Sequence, residues 1–150
     1  MKTLIVTLFL ILSIKSFSQP YLGLGLQNKG ANISIGVVVD KVDLQLNYKY
    51  PLSSAEESKI ASITIGWNFM LTEFNEDNYL ITPFIGGALQ KYDDFTLYDT
   101  NPVYGPVSVT KFRGVYGLEL GRNLHNGRIS IMSKYYDKIY YGIIMRAFIK

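Results

Sequence analysis

Acid–base chemistry at neutral pH would fall first to His125, the one histidine of the chain. It lies in Leu124-His125-Asn126-Gly127, a stretch with turn chemistry that offers neither a nucleophile nor a group to orient the imidazole. Gly23 and Gly25 form a Gly-x-Gly step, but no third glycine and no helical pattern follow, so a phosphate cradle is not indicated. Asp93, Asp94, Asp99 and Asn101 could offer oxygens to calcium, yet they lack the spaced order of a dedicated calcium loop and read as a solvated loop. The chain has no cysteine, which excludes disulfides, thiolate metal sites, a thiol nucleophile and a lipoprotein anchor. No catalytic residue, metal site or cofactor is expected. What remains is a set of charges: Asp43, Lys49, Lys111, Arg113, Glu119, Arg128, Lys134 and Arg146. Their role depends on the elements that carry them.

The chain of 150 residues suits one domain. It is 48% hydrophobic and 18% charged, which excludes disorder. Residues Met1 to Ser18 read as a cleaved export leader: Lys2 begins it, Leu4 to Ile14 form its apolar run, and Ser16 and Ser18 precede a cleavage ahead of Gln19. That run falls well short of the ~20 residues a membrane helix needs. Losing Lys2 and Lys15 takes 15 basic residues to 13 against 12 acidic ones, a net charge of +1, so the basic balance of the whole chain implies no nucleic-acid partner.

From Gln19 to Lys150 the pattern has period two, the mark of strands with unlike faces. Val42, Leu44, Leu46, Tyr48 and Tyr50 alternate with Asp43, Gln45, Asn47 and Lys49. Eight strands are expected: Tyr21 to Gln27, Ala31 to Asp40, Val42 to Tyr50, Lys59 to Phe69, Tyr79 to Tyr92, Val109 to Arg122, Arg128 to Tyr136 and Ile139 to Ile149. The two-residue turn Asp40-Lys41 sets Val37 against Leu44 and Ile35 against Leu46. Around Asn123 to Asn126 the count sets Leu120 against Ile129. Around Asp137-Lys138-Ile139 it sets Ser133 against Ile143.

Such a chain is all-β, an antiparallel up-and-down barrel of eight strands, and the open question is which side is wet. A soluble ligand-binding barrel of lipocalin shape is greasy inside; a membrane barrel is the reverse. Small residues crowd the polar face: Gly23, Gly25, Ser34, Gly36, Ser62, Thr64, Gly66, Gly86, Ala88 and Gly117, as a narrow lumen requires. Aromatic residues cluster toward the strand ends. Tyr48, Tyr50, Tyr92, Tyr135, Tyr136, Tyr140 and Tyr141 gather at one rim; Tyr21, Trp67, Phe69, Tyr79 and Phe148 gather at the other. Loops are short at one end and longer at Pro51 to Ser58 and Asp93 to Ser108, with Leu71 to Asn78 the exception. These features favour a transmembrane barrel with a polar, side-chain-filled interior.

The leader, the opening Tyr21-Leu22-Gly23-Leu24-Gly25-Leu26 and the stretch Thr82-Pro83-Phe84-Ile85-Gly86-Gly87-Ala88 resemble small OmpA/OmpX-like, porin-family outer-membrane barrels. The ending from Tyr141 to Phe148 is similar to the signal read by the barrel assembly machinery, although Ile149 and Lys150 follow. The resemblance implies insertion into the outer membrane of a Gram-negative bacterium, in contact with lipid bilayer and lipopolysaccharide. It brings no ligand and no enzymatic activity. The expected role is structural or surface interaction through the external loops, where Tyr98, Tyr104, Pro102 and Pro106 could form a contact surface; the alternative is a narrow transport or ligand-binding barrel with a basic lumen. All eight charges named above are expected in the lumen, with Glu119 and Arg146 both opposite Ser130 and therefore able to pair.

Overall fold

A computed structural model describes residues 18–28, 30–52, 58–74, 77–94 and 107–149. The expected leader up to residue 17 lies outside the described residues, as do Asp99, Asn101, Tyr98 and Tyr104. The alternation becomes strand throughout: β1 (Ser18–Gln27), β2 (Gly30–Val39), β3 (Val42–Pro51), β4 (Lys59–Trp67), β5 (Phe69–Phe74), β6 (Asp77–Asp94), β7 (Val107–Leu124), β8 (Gly127–Tyr135) and β9 (Ile139–Phe148). β4 and β5 are two lengths of one stave. Both pair with β6, and the register is the same on either side of the interruption at Asn68, Gly66 opposite Phe84 and Phe69 opposite Ile81. It then shifts by one residue between Met70 and Thr72. Pro83, which has no N–H for a ladder, lies on β6 in the stretch that faces the interruption. The Asn68 amide instead donates to the Lys41 carbonyl at 2.7 Å.

Every pairing is antiparallel between chain neighbours, and β1 pairs with β9, so the eight staves close into an up-and-down barrel. Asn28 locks the closing seam at one end: its amide donates to the Tyr141 carbonyl and its side-chain oxygen accepts from the Tyr141 amide, both at 2.9 Å. At the other end Ile149 donates to the Pro20 carbonyl at 2.8 Å. Asp40, at φ 54°, takes the left-handed conformation that a two-residue hairpin turn demands and that Asp tolerates.

The faces are inverted relative to a soluble domain. Leu24 is 67% exposed and Ile85 65%, while Ser34 is 1% and Asn32 2%. Along β3, Leu44, Leu46, Tyr48 and Tyr50 face out, and Asp43, Gln45, Asn47 and Lys49 are buried. The polar interior expected of a membrane-type barrel is what the structure has.

Three details differ from the sequence reading. The β2–β3 register is as expected, Val37 opposite Leu44, but the last two hairpins are each shifted by two residues: Leu120 lies opposite Ile131 and Ser133 opposite Tyr141. The first turn is tighter than counted, because Leu124 pairs with Gly127, and the second keeps three residues but sits one position earlier, because Tyr135 pairs with Ile139. The stretch Leu71 to Asn78 is no loop; β5 runs to Phe74 and β6 starts at Asp77. The loop expected from Asp93 to Ser108 shrinks likewise, since β6 runs through Asp94 and β7 starts at Val107.

Candidate functional site

The interior divides along the barrel axis. At the end with the short turns, β9 delivers Arg146, β8 Arg128, β7 Glu119 and β3 Asp43, all buried. Arg128 and Arg146 are direct cross-strand partners, so two guanidinium groups stand side by side and need acids between them. Arg146 donates through Nη1 and Nη2 to the two oxygens of Glu119, a planar fork meeting a planar carboxylate. Asp43 Oδ2 stands 3.6 Å from Arg128 Nη1 and 3.8 Å from Arg146 Nη1, and its other oxygen accepts from the Tyr21 hydroxyl at 2.6 Å. Arg128 also donates to Asn123 Oδ1 at 2.8 Å and to Asn68 Oδ1 at 3.1 Å, and Thr82 donates to the same Asn68 oxygen at 2.6 Å. Asn68, on the same inward face as Ser62 and Thr64, thus serves the ionic cluster from between β4 and β5. The Arg146 guanidinium stacks 5.0 Å from the Tyr21 ring centre, where β1 offers Gly23: a Cβ there would meet Ser34 Oγ at 2.2 Å and Arg146 Cγ at 3.2 Å.

Toward the loop end an apolar cluster is set among the buried polar side chains Gln27, Asn32, Lys49 and Gln90. Ile60, Phe84, Ala88, Val115, Tyr136 and Tyr140 form one buried cluster. Tyr136 and Tyr140 meet edge to face at 5.3 Å. Lys49 Nζ sits 4.4 Å over the Tyr140 ring, and Lys138 Nζ lies 5.3 Å from the same ring. Lys134, 1% exposed, places Nζ 5.6 Å from the Phe84 ring between the two halves.

Of the charges expected in the lumen, Asp43, Glu119, Arg128 and Arg146 come together; Lys49 and Lys134 are buried apart from them. Arg113 is half-buried, and Lys111 is exposed, with Nζ 5.2 Å from the Tyr92 ring. The cause is strand length. β8 ends opposite Tyr116, so β7 from Val107 to Val115 has β6 alone as its ladder partner. The Glu119–Arg146 pair exists, but not across Ser130: Glu119 lies opposite Met132 and Arg146 opposite Arg128, and the length of Arg146 spans the difference.

The expected aromatic rims are also sorted by face. Tyr48, Tyr50, Tyr135 and Tyr141 point outward toward the loop end, and Trp67 and Phe69 point outward toward the turn end. Phe148 does not join them: it shares the inner face with Arg146 and packs edge-on against Tyr21 at 6.0 Å. Tyr21, Tyr136 and Tyr140 are likewise buried inside. The apolar interior cluster was missed, although Phe84 shares its strand face with Gly86 and Ala88, and Val115 shares its face with Gly117. His125 is exposed in the turn between β7 and β8.

No family model matches the chain, and no curated protein matches it. Among solved structures, the N-terminal β-barrel domain of Pseudomonas aeruginosa OprF superposes with a TM-score of 0.59 at 12% identity, over 88% of this chain and 96% of that domain. The fold is that of the OprF barrel. A de novo designed transmembrane β-barrel follows with a TM-score of 0.47 at 12% identity, over 88% of this chain and 94% of that one. Ail, the attachment invasion locus protein of Yersinia pestis, follows at 0.44 and 16% identity, over 87% and 94%. The expected resemblance to small outer-membrane barrels thus holds at the level of architecture. The OprF likeness describes how the strands are arranged, and the charges inside have to be understood from this chain's own geometry.

Proposed function

We propose that this protein, exported by its N-terminal leader, spans the outer membrane of a Gram-negative bacterium as a filled, non-catalytic barrel that presents an interaction hairpin at its loop end. The inverted surface carries the reading: a wall closed by the β1–β9 pairing, greasy outside and polar inside, suits a bilayer and no aqueous compartment. Biogenesis then requires the barrel assembly machinery, with β9 supplying the signal-like ending. The interaction role is supported by the β6–β7 hairpin. It continues past the end of β8 to the pair Asp94 and Val107, so that among the described residues β7 from Val107 to Val115 has no ladder partner on the side away from β6. It displays exposed Thr110, Lys111 and Phe112. An open edge is a template onto which an extended segment of a surface partner can add as a strand.

Outer-membrane fractionation with heat-modifiable gel migration tests the placement. A soluble periplasmic product with no shift on heating would return the chain to the soluble, lipocalin-like class. Leu44→Arg puts a charge on the outer wall and should cost about 2–4 kcal/mol at mid-bilayer depth, read in a folding titration into lipid vesicles. Planar bilayers should show no steady conductance, because both halves of the interior are occupied by side chains; an ohmic pore would instead favour a transport role.

A further inference from the structure

The outer wall of β4, β6 and β7 is ordered in rows by the cross-strand register. Lys59, Lys91 and Thr110 form one row; Ala61, Leu89 and Phe112 the next; Ile63, Gly87 and Gly114 the third. The top row is exposed and consists of hydrogen-bond donors. Its two lysines are direct cross-strand partners, with Cβ atoms about 5 Å apart, and like charges so placed repel unless an anion comes between them. Lys59 also lies 5.5 Å from the Tyr50 ring, at the loop-end margin of the apolar band. Below them the wall is hollowed at Gly87, which brings no side chain and lies beside the Phe112 ring. A groove of about 360 Å³ runs there between Leu46, Ala61, Ile63, Leu89 and Phe112, floored at Gly87, and Phe112 stands 74% exposed along its side.

A cationic pair directly above an apolar groove matches one chemistry: a phosphate joined to an acyl chain. We infer that this face binds a phosphorylated, acylated lipid of the outer leaflet, of the lipopolysaccharide class, with its phosphate between Lys59 and Lys91 and an acyl chain in the groove below. A phosphomonoester carries close to two negative charges at neutral pH and so matches two ammonium groups, whereas a zwitterionic phospholipid brings its own cation. Continuity with the apolar band places the chain and the phosphate at the depths they occupy in a membrane. The inference rests on the membrane reading above.

The test is native mass spectrometry of the full chain in detergent, titrated with diphosphoryl lipid A, with phosphatidylethanolamine and with inorganic phosphate. The wild type should retain one lipid A. The double variant Lys59→Gln, Lys91→Gln should lose at least tenfold in apparent affinity for lipid A with no change toward phosphatidylethanolamine. Ala61→Phe, at an exposed position that lines the groove, should weaken lipid A by filling it. Inorganic phosphate at equal concentration should not displace the lipid. Unchanged lipid A binding in the double variant, equal binding of phosphatidylethanolamine, or displacement by free phosphate would each overturn the site. Heat-modifiable migration of every variant separates the two failures: a shifting barrel with unaltered lipid binding sinks the site alone, whereas a chain that never shifts and binds no lipid sinks the membrane reading beneath it.

Discussion

The two halves of the barrel interior solve the same problem by opposite means. Near the short turns, Asp43, Glu119, Arg128 and Arg146 fill the space with charge, two acids against two bases, each held in place by neighbours such as Tyr21 and Asn68. Near the loops, Ile60, Phe84, Val115, Tyr136 and Tyr140 fill the centre with apolar volume, beside the uncharged amides of Gln27, Asn32 and Gln90 and the ammonium of Lys49. A hydrogen-bonded ion cluster is directional: it tolerates one geometry, and losing a member strands its partner. An apolar cluster is non-directional and loses only contact area and packing. The turn end should therefore answer the loss of one member sharply, and the loop end by degrees.

The largest expected effect sharpens the ionic half. Glu119→Gln or Arg146→Met should each cost about 3–5 kcal/mol, since either leaves an uncompensated charge at a buried position. The double variant should recover much of that, and a double-mutant cycle in urea titrations gives the coupling. Additive costs would mean that the lumen is wet enough to solvate each charge alone, and the contrast between the halves would collapse.

Ile60→Ala probes the apolar half and should cost about 2–4 kcal/mol in the same titration, from lost burial plus the space left behind. It should leave the Glu119–Arg146 coupling intact, because the two clusters share no member. A change in that coupling would show one continuous core in place of two.

Tyr21→Phe removes one hydroxyl and should cost about 1.5–3 kcal/mol, the range for a hydrogen bond to a charged acceptor. Asp43 keeps Arg128 and Arg146 nearby, so the loss stays below that of Glu119→Gln. A loss equal to that of Glu119→Gln would make the phenol, and not the guanidinium groups, the principal partner of Asp43.

The sequence carries the faces of these strands better than their alignment. A slip of one residue would turn Asp43 and Asn47 onto the apolar outer face, so alternation forbids it. A slip of two leaves every face unchanged, and both late hairpins slipped by two without any sign in the pattern. The β2–β3 register escaped because Asp40-Lys41 pins it as a two-residue turn. The Glu119–Arg146 pair was legible because face and approximate height suffice for an arginine's reach. The apolar cluster was not, because on β9 both faces are apolar: Tyr140 and Ile144 point in while Tyr141, Ile143 and Met145 point out. Hydropathy cannot tell those faces apart; only the parity carried from Arg146 can.

Lys134 stands on the boundary and gives the smallest and most discriminating prediction. It is fully buried, opposite Gly117 and Tyr140 in the register, and its ammonium lies over the Phe84 ring. If it belongs to the apolar half, Lys134→Met keeps the length of the side chain, removes the cost of burying a charge and gives up one cation–π contact, typically about 0.5–2 kcal/mol. These nearly cancel, so the variant should unfold within about 1 kcal/mol of the wild type in the urea titration. If instead the charge acts at a distance on Glu119 and Asp43, the variant should destabilise by more than about 2 kcal/mol, as expected when one member of a buried charge set is lost. In that case it should also change the Glu119–Arg146 coupling energy. A neutral result with unchanged coupling puts the boundary between the halves on the ionic side of Lys134.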